Sequence, residues 1–111
     1  MTERTIKDEI AAKIAENKPP LDMVPPSLII DIAWVLAHGA IKYGKNDWRR
    51  GFPYTERYAS ALRHLLAWRQ GEENDPESNL PHLHHTICQL AMISEYTRTH
   101  PECDDRERKI G

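Results

Sequence analysis

A chain of 111 residues, 40% hydrophobic and 29% charged, is long enough for one modest core and too apolar to be disordered. Its net charge of -2 argues against a general nucleic-acid binder, and two cysteines without ligand spacing exclude a disulfide framework or a zinc finger. No apolar run approaches the roughly 20 residues of a membrane span and no signal pattern opens the chain, so a cytoplasmic protein is expected.

Taken in order, the elements predict an all-α fold, a small bundle of about four helices. One helical domain over 1–111 is expected, with an N-terminal helix in 1–18, a core over 19–100 and a charged tail over 101–111. Thr5 can cap the first helix with Asp8 closing a capping box, and Ile6, Ile10 and Ile14 recur every four residues as one apolar stripe. Prolines 19, 20, 25 and 26 predict an extended connector lying across the bundle. Pro26 and Ser27 open a second helix that closes near Gly39 or Gly44. It carries only Asp31 as a polar residue between Leu28 and Ala37, so it is expected at the centre. Asp31, His38 and Lys42 share one of its faces, and Asp31 is either a partnered structural carboxylate or a site residue.

The loop KYGKNDWRRGFPY follows, basic and punctuated by glycine and proline. Such a loop suits phosphate oxygens, with Tyr43 or Trp48 stacking on a base; the simpler reading makes Trp48 a core plug. A third helix begins near Pro53 and Thr55 and stops at Gly71, with Tyr58, Ala61, Leu62, Leu65 and Leu66 at core spacing. Asn79 and Pro81 start the fourth, with Leu83, Ile87 and Leu90 as its expected core stripe and His82, His85 and Gln89 beside it. The tail after His100 is expected to fray or to make contacts.

The stretch RHLLAWRQGEENDPESNLPHLHHTICQ, Arg63 to Gln89, concentrates the chemistry. Antiparallel helices joined by a short loop share their ends, which brings His64, Asp75, Glu77, His82 and His85 together. Carboxylates and imidazoles at one junction have the composition of a divalent-metal site: hard oxygens favour Mg²⁺ or Mn²⁺, and imidazoles admit Mn²⁺ or Zn²⁺. The plain alternative is a network that stabilises the helix start, since acidic groups there are worth roughly 0.3–1 kcal/mol each. A buried Cys88 and the lack of an elbow-like serine leave little support for a covalent nucleophile.

NKPPLDMVPPSLI, GAIKYGKNDWRRGFPY and ALRHLLAWRQGEENDPESNLPHLHHTICQL together resemble the phage and bacterial dATP/dGTP diphosphohydrolase N-terminal family, over about Lys18 to Glu95. The shared pattern covers Lys42, Tyr43, Gly44 and Trp48; Arg63 and His64; Gly71, Glu72, Asp75 and Glu77; and His82, Leu83 and His85. Asp47 stands where Asn is usual, Asn79 where Gly is common and Gln89 where Asn is usual; Asp47 adds negative charge beside the basic loop. The resemblance implies hydrolysis of purine deoxynucleoside triphosphates to monophosphate and pyrophosphate, in the host cytoplasm if the chain is phage-encoded. It also suggests kinship with MazG-like, Mg²⁺-dependent helical oligomers, although their paired acidic helix motifs are missing here.

On that reading Asp75, Glu77, His82 and His85 hold a metal, Mg²⁺ or Mn²⁺, and His64 or Glu73 takes a proton from water. Lys42, Arg49 and Arg63 bind phosphate oxygens, while Tyr43 or Trp48 stacks on the base. The partners implied are a purine deoxynucleotide and further copies of the chain, without membrane or nucleic acid. A non-catalytic nucleotide-binding or phage interaction module with a structural His/Asp/Glu network is the alternative.

Overall fold

The computed structural model describes residues 5–108; residues 1–4 and 109–111 of the predicted end segments lie outside the described residues. Four helices follow one another: α1 (Ile6–Glu16), α2 (Pro26–Tyr43), α3 (Tyr54–Arg69) and α4 (His82–Thr99), with short 3-10 turns between and after them. The described chain is all-α, and none of its helices is long and apolar enough to cross a membrane.

Local signals set most helix ends. Thr5 Oγ1 accepts the Asp8 backbone N–H, and the Asp8 carboxylate accepts the Thr5 N–H, which completes the expected capping box. Asn17 closes α1 in the left-handed conformation, and Gly44, with φ of 101°, ends α2. Helix α3 has Pro53 at its N-cap, which offers no side-chain acceptor. The carboxylate of Asp105 fills the gap, accepting the Thr55 N–H at 3.0 Å and its hydroxyl. An anion on the exposed amides of a helix start is favourable there, so the tail is used for contacts. Asn79 does not cap α4. It sits in a turn with φ of 59°, Pro81 is the N-cap, and the Glu73 carbonyl accepts the His82 N–H at 2.9 Å.

Packing differs from the expected arrangement. Helix α4 is the central element, pairing extensively with α3 and next with α2, while α2 buries only Val35. The core joins Val35, Cys88 and Met92, with Ile32, Leu36, Trp48 and Leu80 around it. Burial pushes the Cys88 thiol up to about 11, in keeping with a packing role. The face of α4 that turns inward carries His82, His85, Thr86, Cys88, Met92 and Tyr96, whereas Ile87 and Leu90 are exposed. Tyr58, Leu65 and Leu66 of α3 are likewise exposed, and only Ala61 of the expected set is fully buried. The physical reason is that the histidines find polar partners inside, so their burial costs little. The connector is not draped across the bundle: Leu21–Met23 forms a 3-10 turn with both ends exposed, and the isoleucine stripe of α1 has no cover.

Candidate functional site

A cleft of about 740 Å³ opens between α2 and the α3–α4 pair. Three stretches line it: the cleft-facing side of α2 running into the basic loop, one face of α3, and the inward face of α4 with the acidic loop before it. The sequence folds this way because α3 and α4 are antiparallel neighbours whose connecting loop carries Glu72, Asp75 and Glu77 back over their shared end.

At that end, His64 Nδ1 and His82 Nδ1 lie 2.9 Å apart, and His82 Nε2 is 2.6 Å from Glu72 Oε1. A carboxylate can only accept, so Nε2 of His82 carries a proton, and the contact between the two Nδ1 atoms holds one further proton. His64, Asp75 and His82 each offer a ligand atom, all within 4.8 Å of one another. Two imidazole nitrogens and a carboxylate, with an outer carboxylate orienting one ring, suit a divalent transition ion or Mn²⁺.

The surroundings keep this cluster rigid. Asp75 Oδ2 accepts the Ser78 N–H at 2.9 Å, and the Asp75 amide donates to the Leu80 carbonyl at 2.8 Å. Burial opposes ionisation of Asp75, but the bonds from Ser78 and the nearby His85 and His64 hold its pKa below the usual carboxylate value. The His85 ring stacks on His64 with centroids 4.4 Å apart, and its Nε2 bonds to Ser78 Oγ at 2.7 Å. Burial first, then the neighbouring His64, pushes His85 down to about 4. His64 is lowered too, again chiefly by burial, so both rings are neutral at neutral pH.

The expected site residues separate into groups. Asp75, His82 and His64 cluster, and His85 backs them at 3.9 Å from the Asp75 carboxylate. Glu77 stands in an ion pair with Lys42, 2.6 Å apart, at the cleft wall. Lys42 thus comes to the site paired, with its pKa raised by the Glu77 bond and that of Glu77 lowered in return. Tyr43, Trp48, Arg49 and Arg63 all line the cleft. Trp48 is also the core plug that the simpler reading expected: it packs on the Val35 cluster, and its carbonyl accepts the Tyr96 hydroxyl. The Arg49 guanidinium lies 5.3 Å from the centroid of the Trp48 ring. Glu73 is exposed and outside the cleft lining; its backbone carbonyl, rather than its carboxylate, serves α4. Asp31 is partnered, 3.3 Å from His84 Nε2.

Sequence reasoning gave no role to Glu72, Ser78, His38 or Arg57. Glu72 stood in the family-like pattern, and its place just after the helix-ending Gly71 was the available signal. A second grouping, His100, Glu102 and Cys103, is accounted for by an ion pair of 2.9 Å between the first two.

Fold and cleft define the class: an all-α protein in which a histidine–carboxylate cluster and a basic, aromatic loop face one cavity. Residues 8–106 match the family model of the dATP/dGTP diphosphohydrolase N-terminal region, and the chain belongs to that family. It is 31% identical over 94 residues to a dATP/dGTP diphosphohydrolase of Salmonella phage PMBT28. That match takes in 85% of this chain and 32% of the relative, so the chain spans about a third of the relative's length. No solved structure matches it.

Proposed function

We propose that this chain carries a nucleotide site for divalent-metal-dependent hydrolysis of purine deoxynucleoside triphosphates, the substrates named for its phage relative. Water adds to the α-phosphorus, the bond from that phosphorus to the bridging oxygen breaks, and monophosphate and pyrophosphate leave. The observation that carries this reading is convergence: the His64–Asp75–His82 cluster and the basic loop, distant in sequence, line one cleft. His64, Asp75 and His82 would hold the metal, which when bound neutralises phosphate charge and acidifies water. Lys42, released from Glu77, and Arg63 bind phosphate oxygens, with the Tyr43 ring held 5.3 Å from the Lys42 ammonium beside them. Ser78 and His85 hold Asp75 and His64 in place.

A second reading makes the chain a nucleotide-binding module serving chemistry located elsewhere, and the 32% coverage of the relative favours it. Pyrophosphate release from a panel of dNTPs with Mg²⁺, Mn²⁺ or EDTA separates the two. The expected result is metal-dependent release that a His64→Ala, His82→Ala double variant loses. Nucleotide binding without release, from folded protein, would establish the module instead.

We also propose that a second copy of the chain covers the outer face of α2. Ile30, Trp34 and Ile41, at helical spacing, expose 55%, 62% and 88% of their surfaces. Contiguous apolar faces of this kind mark association surfaces. The radius of gyration, 17.4 Å, exceeds the roughly 13 Å of a compact domain of this size, as helices short of mutual cover require.

A further inference from the structure

We infer that Arg57 reads the base of the bound nucleotide and makes the site prefer guanine over adenine, an inference that rests on the nucleotide reading above. Arg57 sits on α3 with its side chain at the cleft wall, yet no carboxylate pairs with it among the described residues. Its Nε is buried and has no hydrogen-bond partner. Its Nη1 reaches Gln89 Oε1 at a long 3.5 Å, its guanidinium also bonds to the Tyr96 hydroxyl, and it lies 4.6 Å from the centroid of the Phe52 ring. The charge is felt by Tyr96 and Cys88, both buried. A half-buried guanidinium with an unsatisfied N–H and no acid costs stability, and a ligand that accepts two hydrogen bonds relieves that cost.

The position selects which part of a nucleotide this is. Arg57 and His64 are seven residues apart on α3, and Gln89 and His82 are seven apart on antiparallel α4. Each separation is two helical turns, about 10 Å. The cleft therefore has two poles: imidazoles, Asp75 and Lys42 at one, and Arg57 with Gln89, Trp48 and Met92 at the other. The first suits phosphates and a cation. The second joins the Trp48 ring and Met92 to the Arg57–Gln89 pair, with Arg49 and Asp47 at the Trp48 side, and its aromatic and apolar surface suits a base; the distance between the poles is comparable to the length of a nucleoside monophosphate. Guanine presents two acceptors, O6 and N7, along the edge that an arginine fork matches. Adenine presents its N6 amino donor there, and a guanidinium has only donors.

Equilibrium binding of dGMP, dAMP and tripolyphosphate to wild type, Arg57→Met and Arg57→Lys tests this, with pyrophosphate release followed in parallel. Tripolyphosphate reports the phosphate pole alone. Wild type is expected to bind dGMP more tightly than dAMP. Both variants should lose roughly tenfold or more on dGMP, with dAMP and tripolyphosphate nearly unchanged. Arg57→Lys keeps the charge and serves if Arg57→Met fails to fold. Equal losses on dGMP and dAMP, a loss on tripolyphosphate, or no loss at all would overturn the assignment. Guanine binding that depends on Arg57 without pyrophosphate release defeats hydrolysis but leaves base reading intact. Release with a guanine preference that ignores Arg57 does the reverse, and a wild type that binds neither nucleotide defeats both.

Discussion

The Nδ1 atoms of His64 and His82 face each other at 2.9 Å across the α3–α4 pair. Because Glu72 accepts the Nε2 proton of His82, the two facing nitrogens share one proton between them. Two facing N–H groups would repel, which adds to the burial that lowers the pKa of His64.

A cation that takes this place displaces the shared proton, which the neutral His64 ring can keep on its Nε2, so binding at neutral pH needs no net proton release. Calorimetric titration with Mn²⁺ in buffers of different ionisation enthalpy is therefore expected to give the same heat in each at neutral pH, with proton release appearing only in acid, where His64 becomes charged. Glu72→Ala should weaken Mn²⁺ binding by about 10–100-fold while leaving the helical circular dichroism intact, because the residue orients a ligand rather than being one. Unchanged affinity in Glu72→Ala would mean that the Glu72–His82 bond serves the start of α4 only.

At the opposite end of α4, His100 ties the basic loop down. Its Nδ1 bonds to Glu102 at 2.9 Å and its Nε2 donates to the Arg49 carbonyl at 2.7 Å, so both nitrogens carry protons. The Glu102 bond first, then the Arg49 carbonyl, raises its pKa above the ordinary 6.5. A raised folded-state pKa means that this contribution is full below the unfolded pKa and fades as pH rises through the folded one. The Tm gap between wild type and His100→Gln should thus shrink between about pH 5.5 and about pH 8, either side of the free imidazole pKa. A gap that grows over that range would contradict the clamp. Gly51 packs on the same ring: a Cβ there would stand 2.7 Å from His100 Cγ, at a φ of 87°. Gly51→Ala is expected to cost about 1–3 kcal/mol by overpacking and to weaken nucleotide binding through the displaced loop. Wild-type stability in that variant would show that the ring yields freely.

What could be read in the sequence was local chemistry. The Thr5 box, the Gly44 and Gly71 ends and the proline starts are decided within a few residues, and the His64–Asp75–His82 convergence follows from two helices sharing a short loop. Pairings between distant segments could not be read. Nothing near Lys42 in sequence indicates Glu77, and nothing near Thr55 indicates Asp105. Periodicity found both stripes of α4 without saying which one turns inward. A hydrophobicity ranking chose Leu83, Ile87 and Leu90, whereas His82 and His85 took the inside because Glu72, His64 and Ser78 satisfy them.

The Lys42–Glu77 pair offers a test of how the phosphate end is built. Both side chains are substantially exposed, so the ion pair is screened and adds little to stability. Lys42→Ala is expected to leave Tm within error of wild type and to raise KM for dNTPs several-fold. Glu77→Ala, which frees the ammonium, should leave KM unchanged or lower it. If Glu77→Ala instead abolishes metal binding, Glu77 belongs to the ligand set and exchanges Lys42 for the ion.

The outer stripe of α2 makes the last prediction. Ile30, Trp34 and Ile41 fall on one exposed helical face, while α4 takes Val35 on the other side. Replacing Trp34 by Glu inside a protomer core would unfold the chain; at an exposed position it should leave the fold intact. Placed between two copies, the same carboxylate would lose its hydration without gaining a partner. Light scattering after size exclusion is therefore expected to show wild type as a multiple of one chain and Trp34→Glu as a single chain with unchanged helicity. A wild type that elutes as a single chain would leave this face uncovered and remove the case for a second copy. A Trp34→Glu variant that stays assembled would move the contact to the exposed apolar residues of the α3–α4 pair, Leu65 and Leu66 with Ile87 and Leu90.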